Sequence, residues 1–291
     1  MYWKEQDDMA FDPAQILTNA LSDDLTKSFA EQFPDAAQEY TAFLRDAVSL
    51  ATKHLTQTSA SYHDADHTVM VVMAGQDILR GKALDGTLRA TDWIHGITAM
   101  LFHDIGYSRT ACRDDIEGVL VTDSNGGRLI PEAGKSDAIL APYHVDRGMI
   151  FVKEHFAASD IVDAERLSAA INYTRFPVPE APEYSDVDSE PGLVRAADLI
   201  GQLADPLYPQ KLTNLYYEML ETGAADALGY GSALDMVDAF PQFFQGLVEP
   251  LLGPAVHFLE QTPEGAEWAH RLRRLVALTA SGELQRGPFK G

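Results

Sequence analysis

Hydrophobic residues along most of this chain recur every three or four positions, which is the spacing of one face of an α-helix. The clearest example is a segment in which Met70, Val71, Ala74 and Ile78 share one face with His67. We expect a helix there, and helices of similar pattern over residues 13–29, 35–56, 92–104, 136–157, 163–173, 192–203, 212–220, 233–247, 251–259 and 265–278. The pattern therefore predicts an all-α fold.

Two segments interrupt the helical pattern. Residues 107–134 are polar, but short apolar runs at 119–122 and 128–130 flank the turn Asn125-Gly126-Gly127, so we expect a small hairpin there. This insertion would be either a lid over a site or a plain surface excursion. Three prolines within 176–182 predict an extended loop.

The composition changes little along the 291 residues, and 46% of them are hydrophobic, which is enough to fill one large core. We therefore expect a single all-α domain over residues 1–291. Its main part would span about residues 40–205. A helical extension would follow over about residues 206–291, and its apolar residues would pack on the main part or form a homodimer contact.

The charge of the chain excludes some partners. Lys and Arg number 22 against 44 Asp and Glu, which gives a formal charge of −22. A surface this acidic repels duplex nucleic acid and anionic membranes. A small phosphorylated substrate stays compatible with it, because a metal ion and a few cations can reverse the potential inside a cleft.

Cysteine usage and the N-terminal sequence favour the cytoplasm. Cys112 is the only cysteine, so no intrachain disulfide can form. The first residues lack the basic and apolar regions of a secretory signal. No apolar run approaches the roughly 20 residues that span a bilayer.

A His-Asp pair is the most informative chemical feature. His103 and Asp104 end the apolar run at 97–102, where ionisable groups rarely lie without a partner. His67 precedes this pair on an apolar helical face, and Asp198 follows it in another apolar stretch. Imidazole and carboxylate together suit a divalent transition metal such as Mn, Fe, Ni, Co or Zn.

The order His67, His103-Asp104, Asp198 on separate helices resembles the HD-domain superfamily of metal-dependent phosphohydrolases. In addition, Tyr62-His63-x-x-x-His67 is similar to the opening motif of the cyclic-nucleotide phosphodiesterases within that superfamily. The resemblance implies an HD-domain helical bundle with one metal ion held by His67, His103, Asp104 and Asp198. It also implies a phosphomonoesterase or phosphodiesterase that acts on a nucleotide or another small phosphoester.

The same resemblance suggests roles for other residues near these ligands. His63 matches the residue that protonates the leaving oxygen. Asp198 or Asp104 would orient the attacking water, and the two oxygens of Asp104 could also bridge two ions. His144 corresponds to a ligand of the second metal in binuclear relatives. Those relatives have further histidines where this chain has Asn172, so a second ion would be incompletely held.

Cations are also expected beside a phosphate. Arg147 follows His144 by three residues and shares its helical face, and Arg175 stands immediately before the proline-rich loop. We expect both to bind the substrate phosphate.

Two other function classes remain open. Some HD-type proteins are di-iron oxygenases, which need a fuller histidine set than this chain supplies around Asn172. A non-catalytic regulatory protein that binds a nucleotide is the other alternative.

Overall fold

The computed structural model describes residues 12–284 and confirms that the fold is all-α. Within this part of the chain there are twelve helices and one short antiparallel hairpin. The helices are α1 (Pro13–Gln32), α2 (Ala37–Leu55), α3 (Ala65–Ala83), α4 (Ala90–Phe102), α5 (His144–Phe156), α6 (Ala164–Asn172), α7 (Glu190–Leu203), α8 (Tyr208–Thr222), α9 (Ala224–Leu228), α10 (Ala233–Phe243), α11 (Gly253–Leu259) and α12 (Pro263–Ala280), and the strands are β1 (Leu120–Val121) and β2 (Arg128–Leu129).

Polar caps fix where several helices begin. Asp64 lies before α3, and its side chain accepts a hydrogen bond from the backbone N–H of His67 at 3.1 Å. Ser189 caps α7 in the same way, through the N–H of Gly192 at 3.1 Å. Such caps satisfy N–H groups that lack a partner in the first turn, and they set the rotation of each helix at its start. For α3, this cap places His67 in the first turn.

Helices α3 and α7 form the centre of the fold and pack closely against each other. The contact is close because Gly201 has no side chain; a Cβ there would lie 2.6 Å from Val71 Cα. His67 lies one turn before Val71, and Asp198 lies one turn before Gly201. The close crossing therefore brings His67 and Asp198 together.

One apolar core joins the main part of the chain to its C-terminal helices. The buried cluster runs from Leu21 to Leu284 and includes residues of α3, α7, α11 and α12. A buried hydrogen bond of 2.9 Å from Trp268 Nε1 to Asp77 Oδ2 further ties α12 to α3. The helical extension thus shares the core that positions the central helices.

The segment between α4 and α5 matches the predicted hairpin, although the strands are shorter than expected. β1 and β2 contain two residues each, and Leu120 pairs with Leu129. The helix predicted over 136–157 is also shorter, because only the 3-10 turn Asp137–Leu140 precedes α5. Across residues 12–284, every helix is either too short or too polar to cross a lipid bilayer.

Candidate metal centre

Four predicted ligands converge where three helices meet. His67 lies in the first turn of α3 and Asp198 in the middle of α7. His103 and Asp104 directly follow the end of α4 at Phe102. Because α4 ends there, both consecutive side chains reach the same point, which two adjacent residues inside a helix would not do.

The ligand atoms of His67, His103 and Asp198 all lie within 4.8 Å of one another, which suits a single ion, and Asp104 Oδ2 lies beside both histidines. His67 Nε2 lies 3.4 Å from Asp104 Oδ2 and 3.3 Å from Asp198 Oδ1. His103 Nε2 lies 3.2 Å and 3.6 Å from the same two oxygens, and the two Nε2 atoms are 3.4 Å apart. Two atoms that each lie about 2.1 Å from one ion are separated by about 3.0 to 3.4 Å at octahedral or tetrahedral angles.

Hydrogen bonding prepares these atoms to accept a cation. His103 Nδ1 donates to the Met100 carbonyl at 2.7 Å, so that its Nε2 presents a lone pair to the cluster. Asp104 Oδ2 is buried and has no hydrogen-bond partner in the described part of the chain. Lone pairs and carboxylate oxygens that face one another at these distances repel unless a positive charge lies between them.

The pKa shifts of His103 and Asp104 also favour a positive charge in the cluster. Burial by itself lowers the pKa of His103, but the charges of Asp104 and Asp198 outweigh it and raise that pKa to about 9. Burial would raise the pKa of Asp104, yet the neighbouring histidines hold it well below its usual range. Both shifts describe a negative pocket that attracts a positive charge, which is a proton on His103 Nε2 when no metal ion takes its place.

His144 faces the other oxygen of Asp104. Its Nδ1 donates to the Ala141 carbonyl at 2.6 Å, and its Nε2 lies 3.7 Å from Asp104 Oδ1. Burial lowers the pKa of His144, which favours the neutral ligand form. Asn172 is turned elsewhere, since its amide donates to Tyr184 and accepts from Arg175, both at 2.8 Å. The structure thus brings His144 and Asp104 together but adds no ligand from Asn172.

His63 has a partner that the sequence did not reveal. Glu218 Oε2, from α8, lies 2.5 Å from His63 Nδ1. Its Oε1 accepts the N–H of Tyr62 at 2.6 Å and that of His63 at 3.3 Å. Burial lowers the pKa of His63, but the hydrogen bond and charge of Glu218 outweigh it, so the pKa is raised overall.

A sequence signal for Glu218 exists in retrospect. Asn214, Glu218 and Glu221 stand four and three residues apart on one face of α8, and each bonds to a segment beside the cluster. Asn214 Nδ2 donates to the Ser61 carbonyl at 3.0 Å, and Glu221 Oε1 accepts the N–H of Ser136 at 3.0 Å. In a chain with so many acidic residues, a row of polar side chains on one helix face has the same sequence pattern as an ordinary solvent-exposed face. The row therefore does not by itself identify Glu218.

A family model described as Npun_R2479-like matches residues 11–280, which is nearly the whole chain. The chain belongs to the Npun_R2479-like family. No curated protein matches it. The candidate metal ligands, His144 and the His63–Glu218 pair all lie within the matched region.

A tyrosine of this Npun_R2479-like protein orders two of the histidines, and sequence analysis did not single it out. The ring of Tyr107 contacts the ring of His63, at a centroid distance of 4.6 Å, and that of His144, at 4.7 Å, while the two histidine rings lie 6.5 Å apart. The preceding Gly106 allows this approach, because a Cβ there would lie 1.9 Å from the His144 carbonyl oxygen. Tyr107 thereby fixes the ring planes of both histidines.

Arg147 does not lie where a phosphate clamp is needed. Its buried guanidinium donates to the carbonyls of Gly106 at 2.7 Å and Ser108 at 2.6 Å, and also to that of Val121. It forms a two-point ion pair with Asp115 at 3.1 Å as well. Its donors are all occupied, so its geometry supports an anchor for the insertion instead of the predicted phosphate contact.

Arg175 also uses its donors in contacts within the protein. Its two terminal nitrogens donate to Asp146 at 3.0 and 2.7 Å, and its Nε donates to Asn172 Oδ1 at 2.8 Å. A phosphate contact from Arg175 would require the guanidinium to leave Asp146. The two predicted cations of the Npun_R2479-like site are therefore both held by carboxylates.

Proposed function

We propose that this protein is a metal-dependent phosphohydrolase of the HD-domain type, acting in the cytoplasm on a nucleotide or another small phosphoester. The observation that carries the proposal is the convergence of His67, His103 and Asp198 at distances that suit one ion, with Asp104 beside both histidines. The resemblance of their order to the HD-domain superfamily supports it. The proposal covers both phosphomonoesters and phosphodiesters.

Each of these residues would have a separate role in hydrolysis. A divalent transition ion, when bound, would polarise the phosphoryl oxygens and lower the pKa of the attacking water. Asp104 has one oxygen toward the ligand cluster and the other toward His144, so its carboxylate can also orient that water. His144 would contact a second ion through the unprotonated Nε2 of its neutral ring.

His63 would protonate the leaving oxygen. Glu218 accepts from Nδ1, so the proton to be transferred is carried on Nε2, at the other end of the ring. The stacking of His63 on Tyr107 keeps the ring plane fixed beside the cluster. An oriented general acid of this kind typically contributes about 10²-fold to 10⁴-fold in rate.

Elemental analysis of the protein purified without added metal or chelator tests the metal centre. We expect one or two equivalents of a transition metal in the wild type and close to none in Asp104→Ala. Asp66→Ala is the matched control, since it removes an exposed carboxylate from α3 and should keep its metal. Stoichiometric metal in Asp104→Ala would contradict the site.

Activity assays then separate the function classes. The metal-loaded protein should hydrolyse 4-nitrophenyl phosphate, bis(4-nitrophenyl) phosphate or members of a nucleotide panel, and Asp104→Ala should not. Bound iron with a visible absorption band and no hydrolysis would favour the di-iron oxygenase instead. Tight nucleotide binding without product formation would favour a regulatory protein.

A further inference from the structure

Arg195 is a buried cation close to the candidate metal centre. It lies on α7 one turn before Asp198, and three residues along a helix place two side chains on neighbouring positions of one face. Only 1% of its surface is exposed. Its Nη1 donates to the Tyr184 carbonyl at 3.0 Å, and the ring of Tyr173 lies 5.1 Å from its Cζ.

The remaining donors of Arg195 are unused. Its Nε and Nη2 are buried and have no hydrogen-bond partner among residues 12–284. Burial lowers its pKa, and no carboxylate in the described part of the chain contributes to raising it. Arg147 and Arg166, in contrast, each form an ion pair with a carboxylate. A buried charge without a counter-charge is unfavourable, so a folded chain that keeps one points to an absent anion.

The two free donors have a specific geometry. Nε and Nη2 form one edge of the planar guanidinium, and their N–H bonds run parallel. This edge matches two oxygens of one phosphate or carboxylate group, which accept such a pair of hydrogen bonds together. The donors that Arg195 leaves free are thus the pair that binds an oxyanion at two points.

The contacts around Arg195 connect it, through Tyr184 and Asn172, to α5, the helix that begins at His144. Tyr184, which accepts from Arg195, is bonded through its hydroxyl to Asn172. Asn172 in turn accepts from Arg175, which is paired with Asp146 on α5, two residues after His144. Arg175 is neutralised by this pair, whereas Arg195 retains an unpaired charge.

We propose that Arg195 binds an oxyanion of the substrate, a phosphate or a carboxylate, separate from the phosphoryl group at the metal centre. This inference rests on the proposed function. It assigns the substrate to small phosphoesters that carry a second anionic group. Arg195 thereby takes the anion-binding role that the sequence suggested for Arg147 and Arg175.

Binding of substrate mimics that cannot be hydrolysed tests the inference without reference to turnover. Calorimetry on the metal-loaded protein would compare inorganic phosphate with methylene, ethylene and propylene bisphosphonates. The series varies the spacing between the two anions. 3-Phosphonopropionate would replace the second phosphonate with a carboxylate and so identify which group Arg195 prefers.

We expect Arg195→Met to bind the best bisphosphonate at least tenfold more weakly than the wild type and to bind phosphate equally well. Arg195→Lys keeps the positive charge but lacks the pair of parallel N–H donors. Its affinity for the bisphosphonate should lie between those of the wild type and Arg195→Met. Lys153→Met is the control for loss of one positive charge on the partly exposed surface of α5. Bisphosphonate affinity within twofold of the wild type in Arg195→Met would overturn the inference.

Stability measurements separate a structural role from a binding role. Arg195→Met removes an unpaired buried charge, and Arg195→Lys keeps the charge without the guanidinium plane, so neither variant should shift the melting temperature by more than a few degrees. A large fall in both variants would assign Arg195 to the fold and overturn the inference. If no phosphoester is hydrolysed but bisphosphonate binding depends on Arg195, the proposed function fails and the anion site stands.

Discussion

Glu218 Oε2 lies 2.5 Å from Nδ1 of His63, although the two residues are 155 positions apart in the chain. The contact joins α8, in the C-terminal extension, to the entry of α3, which carries His67. Glu218 also holds the backbone N–H groups of Tyr62 and His63. The extension therefore contributes a side chain, that of Glu218, directly to the candidate site in addition to packing on the core.

Glu218→Gln should lower kcat by about 10-fold or more with little change in metal content. The amide removes the charge that holds a protonated His63 in place, which is the basis of its expected role as general acid. The loss should be larger for an alkyl phosphoester than for 4-nitrophenyl phosphate, whose leaving group needs no proton. Rates on both substrates, with metal content measured in parallel, check this.

Glu221→Gln is the matched control for this prediction. Glu221 lies on the same face of α8 and bonds to Ser136 instead of a histidine. It should keep the wild-type ratio of the two rates. Equal losses on both substrates in Glu218→Gln would indicate that Glu218 acts only through the fold.

Metal removal should destabilise the protein. The ligand atoms of His67 and Asp198 come from helices that meet only in the folded state, so the ion binds the native chain alone. Metal at 100 times its dissociation constant would then add about 2.7 kcal/mol to the free energy of unfolding. Denaturant unfolding with chelator and with added Mn²⁺ measures the difference, and Asp104→Ala should show none.

Most of the helices and the choice of candidate metal ligands could be predicted from the sequence, because both depend on local patterns. Periodicity identifies the face on which His67 lies, and the His103-Asp104 pair stands out against its apolar run. The convergence of these residues with Asp198 requires the crossing of α3 and α7. That crossing depends on the close approach of Gly201 to Val71, which no local pattern encodes.

The arginines and Glu218 show where sequence reasoning reached its limit. The sequence singled out Arg147 and Arg175 as phosphate-binding cations and left Arg195 aside, and only the partners of these arginines in the fold distinguish them. Two of them have carboxylates at ion-pair distance, and the third has unused buried donors. Glu218 was missed because its contact with His63 joins distant parts of the chain.

Gly201→Ala should weaken both the fold and the metal centre. The new Cβ would lie 2.6 Å from Val71 Cα, so α3 and α7 must move apart. Overpacking of this kind costs about 1–3 kcal/mol in the free energy of unfolding. The shift would also separate His67 from Asp198, so metal affinity should fall. Denaturant unfolding and metal titration measure the two effects.

Gly246→Ala provides the comparison for Gly201→Ala, because a Cβ at Gly246 meets no atom within 4 Å. It should change stability by about 0.5 kcal/mol or less and leave metal affinity unchanged. If both alanine variants retained wild-type metal affinity, the close crossing would not be what positions the ligands.

Cys112 should resist alkylation in the folded protein at any pH up to about 10. Burial raises the pKa of its thiol to about 12, so the reactive thiolate is scarce near neutrality. In the unfolded chain the thiol has an ordinary pKa and reacts readily. The exposed thiol of the unfolded chain ionises above about pH 9, whereas the buried thiol stays neutral up to about pH 12. The stability that Cys112 contributes is therefore fully present below about pH 9 and falls as the pH rises toward 12. Iodoacetamide labelling followed by mass spectrometry, with and without denaturant, measures the contrast; rapid labelling of the native protein at pH 8 would contradict the buried position.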